Sequence, residues 1–432
     1  MVAIIIAVIV DNSIVGIATS SGGMRSSFSD IVVFAVMVLV FAIGQYIILG
    51  FVRSKYLHRH NETAIIRSHI YRIDRITTFL QYALVAVLVS VIFQIAFISS
   101  YHIYSLILVI LFSYGLSILL LSLLAKHFFS WYRLNRSFVI LFYGLAMSFI
   151  TINGIITIIY LDVGFTDNPA FIKSARSLTG SFANPNAALG LAYSLTTITF
   201  FVLTWIATVL LLGHYSRKLG KIKYWILVSI PLAYFLSQFQ PLFLFTFANY
   251  RLSDPVLFGM VYTLIFSISK PLGGVLSFWM ISRNLKNNKV KGYLIISAYG
   301  MTLLFASNQP TSLILVPYPP FGLVTVCFIG LSSYLLYLGI QSSAFSVSED
   351  SRLRQSIRKE AFKESQRFLD VIGTAEMERE VQQKVLEFSK NAKDLMENET
   401  GISTSIDDED VKRYLDEVLV ELKGKRKDNN PQ

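Results

Sequence analysis

The chain predicts an all-α fold: a polytopic membrane helix bundle of about nine spans, N-terminus outside and C-terminus inside, with a small helical cytoplasmic tail. Three observations carry this expectation. The 432 residues are 54% hydrophobic and only 15% charged, with a mean hydropathy of +0.57. Apolar runs long enough to cross roughly 30 Å of hydrocarbon as helices recur between residues 31 and 341. The linkers between those runs alternate between basic and nearly uncharged, as cytoplasmic and opposite loops do.

Taken in order, residues 1–30 hold a short apolar stretch interrupted by Asp11. Gly16-Ile17-Ala18 suits a signal-peptidase site, which would leave an extracytoplasmic N-terminal segment; a tenth, poorly formed span is the rival reading. The nine runs are residues 31–52, 76–99, 103–125, 137–161, 188–213, 224–247, 256–281, 293–308 and 319–341. Arg53, Lys55, Arg59, Arg67, Arg72 and Arg75 follow the first run, and Lys126, Arg133 and Arg136 the third. Arg217, Lys218, Lys221 and Lys223 follow the fifth, and Arg283, Lys286, Lys289 and Lys291 the seventh. These linkers are read as cytoplasmic, and every loop agrees with that assignment. On the other side, Asp162–Ala187 is a long loop with a turn at Asn184-Pro185-Asn186. Thr311–Pro320 is an uncharged, proline-punctuated segment that either dips into the bundle or lies in the interface with Tyr318 as anchor.

Charge separates the bundle from its tail. Residues 1–341 carry 22 Lys and Arg against 7 Asp and Glu, whereas residues 342–432 carry 16 against 20. The basic excess therefore belongs to the membrane part, where loop charge explains it. The partner it implies is the lipid bilayer and not a nucleic acid. A single cysteine, Cys327, cannot form an internal disulfide.

Within the spans, Lys270 stands at the middle of residues 256–281 with no other charge, followed by Pro271. A lysine there is costly and should face other helices or a wet cavity. Thr263, Ser267, Lys270, Gly273, Gly274 and Ser277 fall on one helix face, a small and hydroxyl stripe suited to close helix approach. Pro231 and Pro241 in the sixth span and Pro271 in the seventh predict helix breaks, a device transporters use to expose backbone groups. Lys270, Ser267, Thr263, Gln238, Gln240 and Asn153 are thus the ligand or ion site candidates, with a purely structural Lys270 the equal alternative. A retinal-type Schiff base is disfavoured, because no Asp or Glu falls within any predicted span. No catalytic residue, metal site or cofactor is expected: HExxH, GxSxG and phosphate-loop patterns are absent, and His58-x-His60 lacks partners.

In the tail, no Gly or Pro separates Ile340 from Ile372, so the last membrane helix is expected to run straight out of the bilayer until Gly373-Thr374 breaks it. Val381, Val385, Phe388, Ala392 and Leu395 then repeat at spacings of 4, 3, 4 and 3, a short coiled-coil-like seam. Ser405-Ile406-Asp407-Asp408 resembles a capping box that opens a third amphipathic helix. Such a tail can dock a cytoplasmic protein or form a homo-oligomer.

Tyr318-Pro319-Pro320-Phe321-Gly322, Ser332–Leu336 and Ser351–Arg358 together resemble uncharacterised archaeal-type polytopic integral membrane proteins. The likeness covers roughly the last hundred residues and implies a plasma-membrane location, but no activity, cofactor or site. Three functions stay open. The first is a non-enzymatic sensor or receptor-like protein relaying a signal from the bundle through the C-terminal helices. The second is a secondary transporter or channel using Lys270 and the broken helices. The third is an accessory subunit of a membrane complex.

Overall fold

The computed structural model describes residues 4–11, 14, 28–54, 64–98, 101–166, 187–213, 220–232, 269, 271–276, 278–283, 285, 288–308, 319–350, 354 and 364–400. These residues are helical apart from short connections, and no strand occurs among them. The helices are α1 (residues 4–11), α2 (Phe28–Val52), α3 (Ala64–Ile98), α4 (Ile103–Leu134), α5 (Phe138–Thr166), α6 (Ala187–Leu212), α7 (Lys221–Ser229), α8 (Asn288–Ser307), α9 (Leu323–Glu349) and α10 (Glu364–Thr400). Seven of them, α2 to α6, α8 and α9, are long and apolar enough to cross a bilayer. The chain is a multi-pass helical membrane protein. Of the two remaining predicted spans, the sixth begins as α7 and the turn Ile230–Leu232, and the seventh ends as helical residues 271–276 and 278–283; apart from Ser269, their other residues lie outside those described.

At the centre stands α9. Every residue of its most apolar window is buried, whereas only about a third of the corresponding windows of α2 and α3 are. A helix apolar on all sides is stable only when other helices surround it. α8, α4, α3, α2 and α10 do so here. The outer helices turn large side chains away from the core, among them Phe79 and Phe93 of α3 and Ile43 and Ile47 of α2. That exposure is what lipid-facing positions require.

The closest packing is between α8 and α9. A side chain at Gly300 would place its Cβ 2.5 Å from the Leu336 nitrogen and 2.9 Å from the Ser332 oxygen, and one at Gly339 would collide with Ser297 and the Tyr293 carbonyl. Gly274 meets α8 from the other side, with the Thr302 nitrogen 2.6 Å from its Cβ position. Small residues let these backbones touch, as membrane helix pairs need when there is no hydrophobic gain from leaving lipid.

The structure corrects the sequence reading at three places. The last membrane helix does not continue as a rod: it ends at Glu349, with Asp350 in extended conformation (φ −91°, ψ 100°). Gly373 is not a break, because α10 runs through it to Thr400. Its missing side chain lets α10 lie directly on Val347 of α9, and this contact outweighs the roughly 1 kcal/mol that glycine costs in a helix. Finally, α3 begins well before residue 76 and α4 extends past residue 125. Asp74 and His127, assigned from sequence to solvated loops, are therefore helical residues held against the bundle.

Candidate functional site: the polar seam along α9

Along α9, Cys327, Gly330, Tyr334, Tyr337 and Gln341 recur at spacings of 3, 4, 3 and 4 and share one face, with Ser333 beside them. This face meets α3 and α4, away from α8. Three buried carboxylates border the helix, each delivered by a different element.

The first is Asp11, at the end of α1, whose Ile4 packs on Gly44 of α2. Asp11 accepts from the Gly322 nitrogen (3.2 Å), the Thr325 nitrogen (3.1 Å) and the Thr325 hydroxyl (2.6 Å). It caps α9 from another segment, satisfying backbone donors that no intrahelical carbonyl can reach. Gly322 has φ +90°, a left-handed turn that favours glycine and aims its N–H at the carboxylate.

The second is Asp74 on α3. It accepts from the Tyr334 hydroxyl (2.8 Å) and from Arg53 Nε (2.9 Å), and Arg53 Nη2 also donates to Thr78 Oγ1 (2.6 Å). The Asp74 side chain is 6% exposed and that of Arg53 is 41% exposed. The pair therefore joins a buried carboxylate to the aqueous surface. Four residues of three helices, α2's extension, α3 and α9, meet here.

The third is Glu376 on α10. It accepts from Trp131 Nε1 of α4 (2.8 Å), Arg379 Nη2 (2.6 Å) and Gln341 Nε2 of α9 (3.4 Å). Arg379 Nη1 lies 2.7 Å from His127 Nδ1. A guanidinium can only donate, so His127 accepts at Nδ1 and carries its hydrogen on Nε2. Phe368 packs at a tilt against Tyr143 and Phe278, and Leu369, Ile372 and Ala375 are fully buried. The first turns of α10 are thus part of the bundle.

Between these clusters the seam holds a Ser117–Ser333 hydroxyl pair (2.7 Å) and a Gln45 Nε2 bond to the Gln81 carbonyl (3.3 Å). Among the described residues no group of three His, Cys, Asp or Glu could hold a metal. Fixed donors hold each carboxylate. What the arrangement does is hold three charges at fixed positions beside α9 and tie α10 to α4 and α9 through Glu376.

Of the sequence candidates, Asn153 is placed on α5. Its Nδ2 reaches Thr196 and Thr197 of α6 (both 2.9 Å) and its Oδ1 accepts from Asn308 (3.3 Å), a satisfied helix-to-helix clamp remote from the carboxylates. Pro231 is buried in the turn Ile230–Leu232 that ends α7, beside Gly273 and a crevice floored by Phe201, Trp205 and Phe305. Pro271 is buried at the head of helical residues 271–276. Lys270, Ser267, Thr263, Gln238, Gln240 and Pro241 lie outside the described residues, as do His58, His60 and Ser277. Sequence reasoning missed Asp11, Asp74, Glu376 and Arg379. The only signal for Asp74 was an acid among the basic residues Arg72 and Arg75. Comparison of the chain with known protein families, with curated proteins and with solved structures finds no match.

Proposed function

We propose that this protein is a non-enzymatic membrane sensor or relay, which passes the state of its helix bundle to a cytoplasmic partner through α10. The observation that carries the reading is the division of α10 into two parts. Its first turns are built into the bundle through Glu376, Arg379 and buried apolar residues. Beyond Glu380 the same unbroken helix presents Val381, Val385, Phe388 and Leu395 as an exposed apolar stripe. A shift of α4 against α9 would be felt at Trp131 and Gln341, and a rigid helix carries it to the stripe. The basic linkers support a cytoplasmic position for this end, and the membrane of the reading is the plasma membrane.

The transporter reading stays second, favoured by buried polar groups at mid-bundle. Purification of the full chain and of a chain ending at Glu380 tests the choice; that cut keeps the docked turns. A cytoplasmic protein that co-purifies only with the full chain supports the relay. Membrane subunits retained by both chains would make this an accessory subunit, and no partner for either would return the weight to transport.

A further inference from the structure

In the middle of the bundle, four buried polar atoms have no hydrogen-bond partner among the described residues: Gln45 Oε1, Gln81 Oε1 and Nε2, and Thr77 Oγ1, with the Ser113 hydroxyl, which reaches Cys327, beside them. Gln45 is 1% exposed and the other three residues 0%. All belong to one neighbourhood. Gln45 of α2 donates to the Gln81 carbonyl. Thr77 precedes Gln81 by one turn of α3. The Gln81 Nε2 and the Ser113 carbonyl of α4 lie 3.3 Å and 3.4 Å from the Cβ position of Gly330 on α9.

Lipid offers no solvent to such groups, so leaving them unpaired costs free energy in every folded molecule. Gln81 leaves both its donor and its acceptor unfilled, and exchanging its O and N assignments changes nothing. A cation would fill only the acceptors and an anion only the donors. Water donates and accepts, and two to four polar partners are what a buried water needs.

We propose that the junction of α2, α3, α4 and α9 is a binding site for ordered water, held by Gln81, Gln45, Thr77 and Ser113. The Ser117–Ser333 pair and the Tyr334–Asp74 bond lie along the same side of α9. This hydration goes beyond the relay and holds whether or not α10 has an output.

Radiolytic footprinting in nanodiscs tests it, because X-rays split bound water and oxidise the side chains beside it. Cys327 is the reporter: the single cysteine, fully buried, on the same face as Gly330 and facing Ser113. Met301, equally buried on α8, is the control. The expected result is a Cys327 oxidation rate, taken relative to Met301 in the same sample, that falls several-fold in Gln81→Leu. The thermal midpoint reports folding of that variant, and Thr77→Val with Ser113→Ala replaces it should it not fold. A relative Cys327 rate unchanged in the folded variants overturns the proposal. With a midpoint raised by sodium or potassium over choline, that result would make the occupant a cation.

Discussion

Against α8, α9 presents Ser332, Leu336 and Gly339; against α3 and α4 it presents Cys327, Gly330, Tyr334, Tyr337 and Gln341. On the first face backbones touch. Ser297 and Thr302 of α8 turn their hydroxyls back to their own Tyr293 and Ala298 carbonyls, leaving little between the helices. On the second face side chains keep the helices apart and reach across, to Asp74, Ser117 and Glu376. One face fixes α9 as a rigid post, and the other carries groups whose bonds can be made and broken. A helix that must both anchor a bundle and respond to it would divide its surface in this way.

Gly300→Ala tests the rigid face hardest. The new methyl would meet the Leu336 nitrogen, the Ser332 oxygen and the Leu335 carbonyl carbon at 2.5, 2.9 and 3.0 Å, all of them backbone. Helix α9 would have to move as a body, at a cost of about 3 kcal/mol or more, and denaturant titration in detergent should show a corresponding loss of stability. An unchanged midpoint would mean that α8 and α9 pack more loosely than their glycines imply.

Glu376→Gln comes next and acts on the responsive face. It removes the charge that Trp131 and Arg379 donate to, where α10 is bonded to α4 and α9. A buried, charge-assisted cluster of this kind loses about 1–3 kcal/mol. The loss should be local: limited proteolysis within α10 should accelerate while the bundle's melting midpoint moves little. Equal loss in both would make α10 a structural strut rather than a lever.

The contrast between these faces was only partly legible in the sequence. Apolar length marks α2 to α6, α8 and α9, because hydrocarbon thickness imposes it. Which of those runs becomes the centre is not written in any one of them. Residues 319–341 are no more apolar than 31–52, and only the surrounding helices bury Tyr334 and Ser333. Asp74 and His127 were hidden by their basic neighbours, which shift a hydropathy boundary although the helix passes through it. Glu376 lies in a stretch so rich in charge that no single carboxylate stands out. The seam is a property of three-dimensional neighbours: Asp74 and Tyr334 are 260 residues apart. Asn153 was visible because an amide within an apolar run has few alternatives to pairing with another helix.

Gly330→Ala sharpens the comparison from the other side. Its methyl would meet Leu116 Cδ2 at 3.1 Å and Gln81 Nε2 at 3.3 Å, both ends of flexible side chains. Alanine also favours the helix over glycine by about 1 kcal/mol, so stability should change by less than about 1 kcal/mol in either direction. A loss as large as that of Gly300→Ala would erase the distinction between the two faces.

The smallest effect expected concerns pH at the lever. Burial, then the neighbouring Glu376, raises the Glu380 carboxyl above its ordinary 4.5, with Glu349 adding to the rise and Lys384 and Arg379 opposing it. A carboxyl whose pKa is higher in the docked helix than in a released one favours docking while it is protonated. That contribution is complete below about 4.5 and is lost as pH rises through the raised value. Proteolysis of α10, checked by a pH-insensitive readout such as a covalent crosslink between α9 and α10, should therefore slow as pH falls through the raised value. Glu380→Gln should flatten the profile and keep the slow rate at neutral pH. Because Glu380 lies where the docked turns meet the exposed stripe, a flat wild-type profile would place the pivot of α10 elsewhere than at its Glu376–Glu380 turn.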